Sequence, residues 1–131
     1  MTRVVAGLLI RDGRLLLQQR PSDKPFPFLW ETPGGKVEQH ELEHLALARE
    51  LFEELGITAR NIGNSPVWTG LVTVGQEKVE MGFYVVGNWL GKLLPLERQG
   101  LGWFTFDEML TLPLTPGNAL IVPTIKDLLT T

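Results

Sequence analysis

Three glutamates, Glu50, Glu53 and Glu54, lie close together near the middle of the chain. Residues 42–55 contain no glycine or proline, and Gly56 stands where helices commonly end, so this segment is predicted to be a helix. Because a helix turns by about 100° per residue, the three carboxylates share one face and leucines fill the opposite face. Carboxylates this close call for a compensating cation, and Mg²⁺ prefers oxygen ligands. The cluster therefore predicts a divalent metal site, with a solvated acidic face as the alternative.

A glycine-rich loop, residues 32–38, precedes this helix with the sequence Thr-Pro-Gly-Gly-Lys-Val-Glu. Paired glycines allow a backbone to approach a ligand closely and to adopt positive φ angles. Taken alone, such a sequence is most often a plain turn. Its position directly before the acidic helix instead predicts a loop that faces the same metal and ligand as the glutamates.

The loop and the helix together fit one spacing pattern. Gly35 is followed by five residues, Glu41, seven residues, and then Arg-Glu-Leu-Phe-Glu-Glu-Leu-Gly-Ile at residues 49–57. At every position this run resembles the box of the Nudix hydrolases of the MutT type. The resemblance implies an α/β fold, the Nudix α/β/α sandwich, in which the box helix and a C-terminal helix flank a mixed β-sheet. It also implies an enzyme that uses Mg²⁺, or Mn²⁺ in its place, to hydrolyse a nucleoside diphosphate linked to another group.

The resemblance also implies roles for individual glutamates. Glu50, Glu53 and Glu54 are expected to hold the metal together with the carbonyl of Gly34. Glu97 is expected to bind metal or to help activate water, with a solvated loop position as its alternative. These four glutamates form the expected catalytic set, in which Glu53 and Glu97 are both open as the general base.

Glu41 and Arg49 are expected to support the site. Eight helical residues span about 12 Å, which is too far for direct contact between two side chains along one continuous helix. Glu41 is therefore predicted to lie in the loop or in the first helical turn, where a carboxylate favours the helix N-terminus. The resemblance implies that the two residues fix the loop and orient the catalytic carboxylates.

Outside the box, the chain resembles the MutT branch, which cleaves nucleoside triphosphates. The resemblance implies a phosphate contact for Arg20 and a contact to oxidised guanine for Asn118, whose amide can donate and accept hydrogen bonds at once. Lys36, beside the glycines, is a further candidate for phosphate binding. The alternatives are a strand-end arginine, a helix-start asparagine bonded to backbone, and an exposed lysine.

Thr32 departs from that branch, which has an aromatic or apolar residue there against the base. Trp30, Phe28 or Phe26 could stack on the base instead. The predicted reaction is Mg²⁺-dependent hydrolysis of a nucleoside triphosphate to monophosphate and pyrophosphate. The expected substrate is a purine deoxynucleotide, including oxidised guanine, in sanitising the nucleotide pool for DNA repair. The alternatives are CTP, dCTP or broad specificity, another nucleoside-diphosphate-X hydrolase, and a non-catalytic nucleotide-binding module.

Length and charge are consistent with one domain over residues 1–131. The net charge of −3 and the scattered basic residues disfavour a surface that coats nucleic acid, so a small nucleotide is the expected partner. Because cysteine, a signal peptide and a membrane-spanning apolar run are all absent from the sequence, a cytoplasmic protein without disulfides or membrane contact is predicted. Monomer and homodimer are both open.

Hydrophobic patterning predicts the elements that position these residues. Asp12-Gly13 is a strong hairpin signal between two β-rich runs, residues 4–11 and 14–20. Thr115 followed by Pro116 predicts a C-terminal helix with threonine as its N-cap. The other predicted strands are residues 28–32, 36–38, 66–74, 78–89 and 102–106, of which 66–74 and 78–89 are predicted to form a second antiparallel pair. Together they predict a mixed sheet with helices on both faces.

Overall fold

The computed structural model describes residues 1–130 as a mixed sheet with helices packed on both faces, as the sequence predicts. The strands are β1 (Thr2–Arg11), β2 (Arg14–Gln19), β3 (Trp30–Glu31), β4 (Gly34–Lys36), β5 (Thr58–Ile62), β6 (Trp68–Val74), β7 (Glu77–Leu90) and β8 (Gly100–Phe104). The helices are α1 (Glu43–Leu55), α2 (Phe106–Met109), α3 (Pro116–Leu120) and α4 (Val122–Thr130). Between residues 1 and 130, no helix is long and apolar enough to cross a membrane.

The sheet is built around β1 and β7, which run parallel along most of β1. Its order is β3-β2-β1-β7-β5, and β4, β6 and β8 pair antiparallel with β1, β7 and β2. The predicted hairpin between β1 and β2 is confirmed, and its turn residues Asp12 and Gly13 have φ angles of 52° and 71°. Positive φ at both positions is what a type I′ turn requires. The predicted antiparallel pair of β6 and β7 is also confirmed.

Two hydrophobic cores lie on opposite faces of the sheet because side chains alternate along β1. Val5 and Leu9 belong to the core that α1 covers. Ala6 and Leu8 belong to the other core, together with residues of α2 and α4. The sheet is therefore the middle layer of an α/β/α sandwich, and β1 contributes to both cores.

The helix α1 forms where the sequence predicts it, and local signals account for its ends. It begins after Leu42, which has an extended backbone, and it ends at Gly56, which has a φ of 70°. The N–H of Gly56 donates to the carbonyl of Phe52 at 2.9 Å, and a left-handed residue at this place favours glycine. Buried leucines fix the rotation of α1, so Glu50 and Glu53 face away from the core.

Two short strands are displaced from their predicted positions. β4 is Gly34–Lys36 rather than residues 36–38, because its residues pair with the early part of β1. β8 is Gly100–Phe104 rather than residues 102–106. The chain leaves β8 at Thr105, which forms a capping box with Glu108 at the start of α2. Strand β5 and helix α2, apart from Phe106, lie outside the predicted elements.

The C-terminal helix begins as predicted but is interrupted. Thr115 is the N-cap and Pro116 occupies the start of α3. A second helix, α4, follows rather than a continuation of α3, and Pro123 lies in its first turn. Proline has no N–H to donate to the preceding turn, which accounts for the break. Regular helical bonding resumes where the N–H of Ile125 donates to the carbonyl of Ile121 at 3.0 Å.

Candidate active site

The two glycines of the loop form the start of β4 and lie against both β1 and α1. A Cβ atom on Gly34 would lie 2.0 Å from the carbonyl oxygen of Val5, and one on Gly35 would lie 2.3 Å from Cδ of Glu50. Real side chains do not tolerate such separations. Glycine is therefore required at Gly34, where backbone of β1 leaves no room, whereas a larger residue at Gly35 would push the Glu50 carboxylate away from the loop.

Glu54 is the most buried carboxylate of the cluster, with a residue exposure of 7%. Its Oε2 accepts a hydrogen bond from the N–H of Gly34 at 3.1 Å. Burial, followed by the charges of Glu50, Glu97 and Glu31, raises the pKa of Glu54 to about 9. Because a cation would relieve this cost of ionisation, Glu54 has the electrostatic character of a metal ligand.

Glu50 is the second carboxylate that lies against β4. Burial raises its pKa, and a hydrogen bond from Nη1 of Arg49 to Oε1 at 3.0 Å acts in the opposite direction. Glu53 is half exposed, and its Oε1 lies 3.4 Å from the same Nη1 atom. Glu50 and Glu54 therefore approach the glycine loop, whereas Glu53 lies beside Arg49 on the outer side of α1.

Arg49 connects the loop to the helix. Its Nε and Nη2 atoms donate to the two carboxylate oxygens of Glu41 at 2.9 and 3.0 Å, and Nη2 also donates to the carbonyl of Lys36 at 3.0 Å. This bidentate pair lowers the pKa of Glu41 to about 2. The direct contact is possible because Glu41 precedes α1, as predicted, and the chain turns at His40 with a φ of 66°. The geometry is consistent with a supporting role for both residues.

The predicted metal ligands are brought to one region but not to one point. Among residues 1–130, no group of three acidic, histidine or cysteine side chains is arranged to hold a metal ion. Instead, Glu50 and Glu53 are bonded to Arg49, and Glu54 accepts from the N–H of Gly34. The atoms available as metal ligands are all carboxylate or carbonyl oxygens, the type of ligand that Mg²⁺ prefers. Coordination by the Gly34 carbonyl stays a prediction.

A cavity of about 440 Å³ opens beside the glycines. Its apolar lining comes from β1 and from β6 and β7, and includes Val4, Ala6, Val79 and Met81. Its polar lining includes Arg20, Glu31, Lys36, Glu54 and Asn118. The cavity therefore joins the acidic end of the site to an apolar space that suits a planar base.

Arg20 is held at the edge of this cavity by two contacts. Its Nη1 lies 2.9 Å from Oε2 of Glu31, and its Nε donates to the carbonyl of Pro25. Lys36 lines the same cavity and its side chain is exposed. The two basic residues predicted to bind phosphate thus lie on the same cavity as Glu54.

Asn118 is buried and links α3 to the glycine loop. Its Oδ1 accepts from the N–H of Thr32 at 3.0 Å and from the Thr32 hydroxyl at 2.8 Å, while Nδ2 donates to the Thr115 hydroxyl at 2.9 Å. The backbone N–H of Thr32 can only donate, so it fixes which end of the amide faces it. Both lone pairs of Oδ1 are therefore occupied, and Nδ2 has a second N–H besides the one that it donates to Thr115.

The three aromatic candidates for base stacking are placed differently from one another. Phe26 lines the cavity. Trp30 packs edge-on against Phe104, with ring centroids 5.0 Å apart, as part of the core. Phe28 is exposed, and neither Trp30 nor Phe28 is among the residues that line the cavity. Phe26 is accordingly the aromatic candidate that the structure brings to the site.

Glu97 lies in the loop between β7 and β8 and shares a small cavity of about 130 Å³ with Glu31 and Glu54. The structure therefore brings this distant loop glutamate to the acidic end of the site. Glu31 is a residue that the sequence analysis misses. Burial raises its pKa while Arg20 lowers it, and it lines both cavities. An acidic residue within a strand-like run, directly before the glycine loop, is the signal that points to it.

The chain is similar to known proteins in sequence and in fold. Residues 1–125 match the NUDIX domain family. The CTP pyrophosphohydrolase of Escherichia coli (strain K12) is 40% identical over 118 residues, which cover 90% of this chain and 86% of that protein. The 8-oxo-dGTP diphosphatase of Haemophilus influenzae is 31% identical over 122 residues, covering 92% of this chain and 88% of that protein.

A solved structure is similar over nearly the whole chain. The solution structure of the E. coli ORF135 protein has a TM-score of 0.86 and 37% sequence identity. The match covers 99% of this chain and 91% of that one. The common fold therefore includes the box helix, the cavity walls and the C-terminal helices.

Proposed function

The chain belongs to the Nudix family, and from this premise we propose that it hydrolyses a nucleoside triphosphate to monophosphate and pyrophosphate with Mg²⁺. The supporting observation is one continuous site. Glu50 and Glu54 lie against the glycine loop, and the adjoining 440 Å³ cavity carries Arg20 and Lys36 at its edge. Carboxylates for a metal, cations for phosphates and space for a base are therefore adjacent.

Different residues of the site have different roles in this reaction. Glu50, Glu53 and Glu54 would hold Mg²⁺, which when bound neutralises phosphate charge and lowers the pKa of a coordinated water. Arg20 and Lys36 bind the phosphate oxygens. Glu53 or Glu97 accepts a proton from the attacking water. The water adds in line to one of the two phosphorus atoms of the α,β-anhydride as the P–O bond between them breaks, so the products are a nucleoside monophosphate and pyrophosphate.

Cytosine nucleotides are the substrates that we propose first. In the observed arrangement Asn118 offers a base one N–H donor and no free acceptor, because Thr32 occupies Oδ1. That pattern suits acceptors such as O2 and N3 of cytosine or O6 and N7 of unoxidised guanine, and it disfavours oxidised guanine, which carries a hydrogen on N7. The E. coli relative with 40% identity is a CTP pyrophosphohydrolase, which supports the same choice.

Oxidised guanine, the purine expected from the sequence, is the second candidate. Two observations support this candidate. Asn118 lines the cavity, and relatives of the chain are named 8-oxo-dGTP diphosphatase. Oxidation places a hydrogen on N7 of the base, and an asparagine that recognises this hydrogen must accept through Oδ1. For this substrate the Thr32 hydroxyl would have to turn away from Asn118.

A nucleotide panel tests the proposed function. Purified protein is expected to release pyrophosphate from CTP and dCTP with Mg²⁺, with lower kcat/KM for dGTP and 8-oxo-dGTP. ADP-ribose and dinucleoside polyphosphates serve as the other Nudix substrate classes, and EDTA provides the metal-free control. A protein that releases no pyrophosphate from any nucleoside triphosphate would contradict the proposal and favour a binding module or another substrate class.

Asn118→Ala tests base recognition. We expect kcat/KM for cytosine nucleotides to fall by roughly 10-fold to 100-fold, which corresponds to about 1 to 3 kcal/mol for a lost hydrogen bond at a buried site. Triphosphates with other bases should lose less, because the phosphate and metal residues lie on other elements. The measurement is kcat/KM across the panel below the melting temperature of the variant.

Thr32→Val is the companion variant. It removes the hydroxyl that occupies Oδ1 but keeps the backbone N–H and the side-chain shape, so Asn118 regains one acceptor. The ratio of kcat/KM for 8-oxo-dGTP to that for CTP is expected to rise. Equal losses on every nucleotide with Asn118→Ala would instead show that Asn118 only joins α3 to the loop.

A further inference from the structure

The loop that carries Glu97 is attached to the C-terminal end of α1. The N–H of Leu94 donates to the carbonyl of Leu55 at 3.0 Å, and the N–H of Leu96 donates to the carbonyl of Glu54 at 3.1 Å. The last carbonyls of a helix have no partner within the helix, so they are available to bind another segment. The backbone carbonyls of Glu54 and Leu55 therefore anchor the segment that precedes Glu97.

Gln99 completes this attachment through its side chain. It is buried, with 7% exposure, whereas residues 94–98 of the same loop are exposed. Its Nε2 donates to the carbonyl of Glu54 at 3.0 Å and to Oε1 of Gln18 at 3.3 Å, and its Oε1 accepts from the N–H of Glu97 at 2.9 Å. The N–H of Glu97 can only donate, which fixes the orientation of the Gln99 amide.

We infer that Gln99 is a positioning residue that holds Glu97 beside Glu54 in the acidic end of the site. Glu54 and Glu97 line the same 130 Å³ cavity. Their like charges favour separation, and the charge of Glu97 contributes to the raised pKa of Glu54. An amide bonded to both segments opposes that separation before substrate arrives.

A second contact that holds this loop is an ion pair exposed to solvent. Nη2 of Arg98 lies 2.7 Å from Oδ2 of Asp23, but the two side chains are 73% and 56% exposed. An ion pair that is open to solvent is screened and contributes little. Arg98→Met therefore removes a contact from the same loop without touching the buried amide, which makes it a matched control.

The test rests on the proposed function and uses a cycle of four proteins, namely wild type, Gln99→Met, Glu97→Gln and the double variant. Methionine keeps the length of glutamine without its hydrogen bonds. In the wild-type background Gln99→Met is expected to lower kcat by about 10-fold, with KM for CTP within about two-fold. In the Glu97→Gln background the same change should alter kcat by less than about two-fold, because Gln99 acts through Glu97.

Mn²⁺ binding to the free protein, measured by electron paramagnetic resonance, provides a readout that does not depend on turnover. Gln99→Met is expected to weaken binding by about three-fold or more in the wild-type background and by less with Glu97→Gln. Gln99→Asn, one methylene too short to reach all three partners, replaces Gln99→Met if the latter does not fold. Arg98→Met should match wild type in both measurements.

Two results would overturn the inference. One is an equal effect of Gln99→Met in both backgrounds, which would mean that Gln99 only supports the fold. The other is an effect no larger than that of Arg98→Met. If wild type releases no pyrophosphate, the proposed function fails by itself, and the Mn²⁺ measurements alone then decide the role of Gln99.

Discussion

Glu54→Gln is expected to lower kcat by about 100-fold or more while leaving the fold intact. Glutamine has nearly the same size, and its amide oxygen can still accept the N–H of Gly34. What is lost is the negative charge that a metal ion would neutralise. The buried position and the raised pKa of Glu54 make this carboxylate the strongest candidate ligand of the cluster.

A matched control is available on the same helix. Glu43→Gln makes the same chemical change in a partly buried carboxylate that is bonded to Arg3 and Tyr84, away from the glycine loop. We expect Glu43→Gln to keep kcat within about three-fold of wild type when assayed below its melting temperature, because Glu43 lies outside the proposed site. A kcat for Glu54→Gln within about ten-fold of wild type would remove Glu54 from the catalytic set.

Glu53 requires a separate comparison because it lies on the outer side of α1, beside Arg49. If Glu53 is the general base, Glu53→Gln should lower kcat by about 100-fold, and Glu97→Gln should do so if Glu97 has that role. The two variants measured side by side with saturating Mg²⁺ distinguish the candidates. Glu97 shares a cavity with Glu54, which makes it the better placed of the two.

Local signals in the sequence were sufficient for α1 and for the first hairpin. Helix α1 has leucines on one face and a glycine at its end, and the hairpin has Asp12-Gly13 at its turn. These features depend on residues within a few positions of one another. The same holds for Thr115 and Pro116 at the start of α3.

The placement of β4 could not be predicted in this way. Glycine disfavours strands in general, so Gly34 and Gly35 resemble a turn when only neighbouring residues are considered. They become strand because β1 offers its edge for pairing, and at Gly34 the backbone of β1 also leaves no space for a Cβ atom. The cause is a contact between segments that are about thirty residues apart, and only the folded chain reveals it.

The roles of individual residues likewise differ in whether neighbouring sequence or only the folded chain reveals them. A length argument predicts Glu41 in the loop or in the first turn of α1, and the structure places it in the loop, where the chain turns back to give the bidentate contact to Arg49. The bonding of Asn118 to Thr32, 86 positions away, depends on how α3 packs on the loop. Gln99 belongs to no recognisable pattern, and its importance comes entirely from the three atoms that surround its amide.

Without metal, the melting temperature is expected to fall as pH rises from about 5 to 9, by about 5 °C or more. The pKa of Glu54 is about 9 in the folded protein against an ordinary value of 4.5. Between these values the folded state retains a proton that the unfolded state has lost, so stability decreases with pH. The lowered pKa values of Glu41 and Glu43 affect stability only at lower pH.

Differential scanning fluorimetry in EDTA across this pH range provides the measurement, with Glu54→Gln as the variant that lacks the titrating group. The variant should show a flatter pH dependence, because glutamine binds no proton in this range. Millimolar Mg²⁺ should raise the melting temperature of wild type at pH 8 by binding the folded state alone, and it should raise that of Glu54→Gln less. If Mg²⁺ changes neither protein and their pH profiles coincide, the carboxylates do not form an appreciable metal site in the free enzyme.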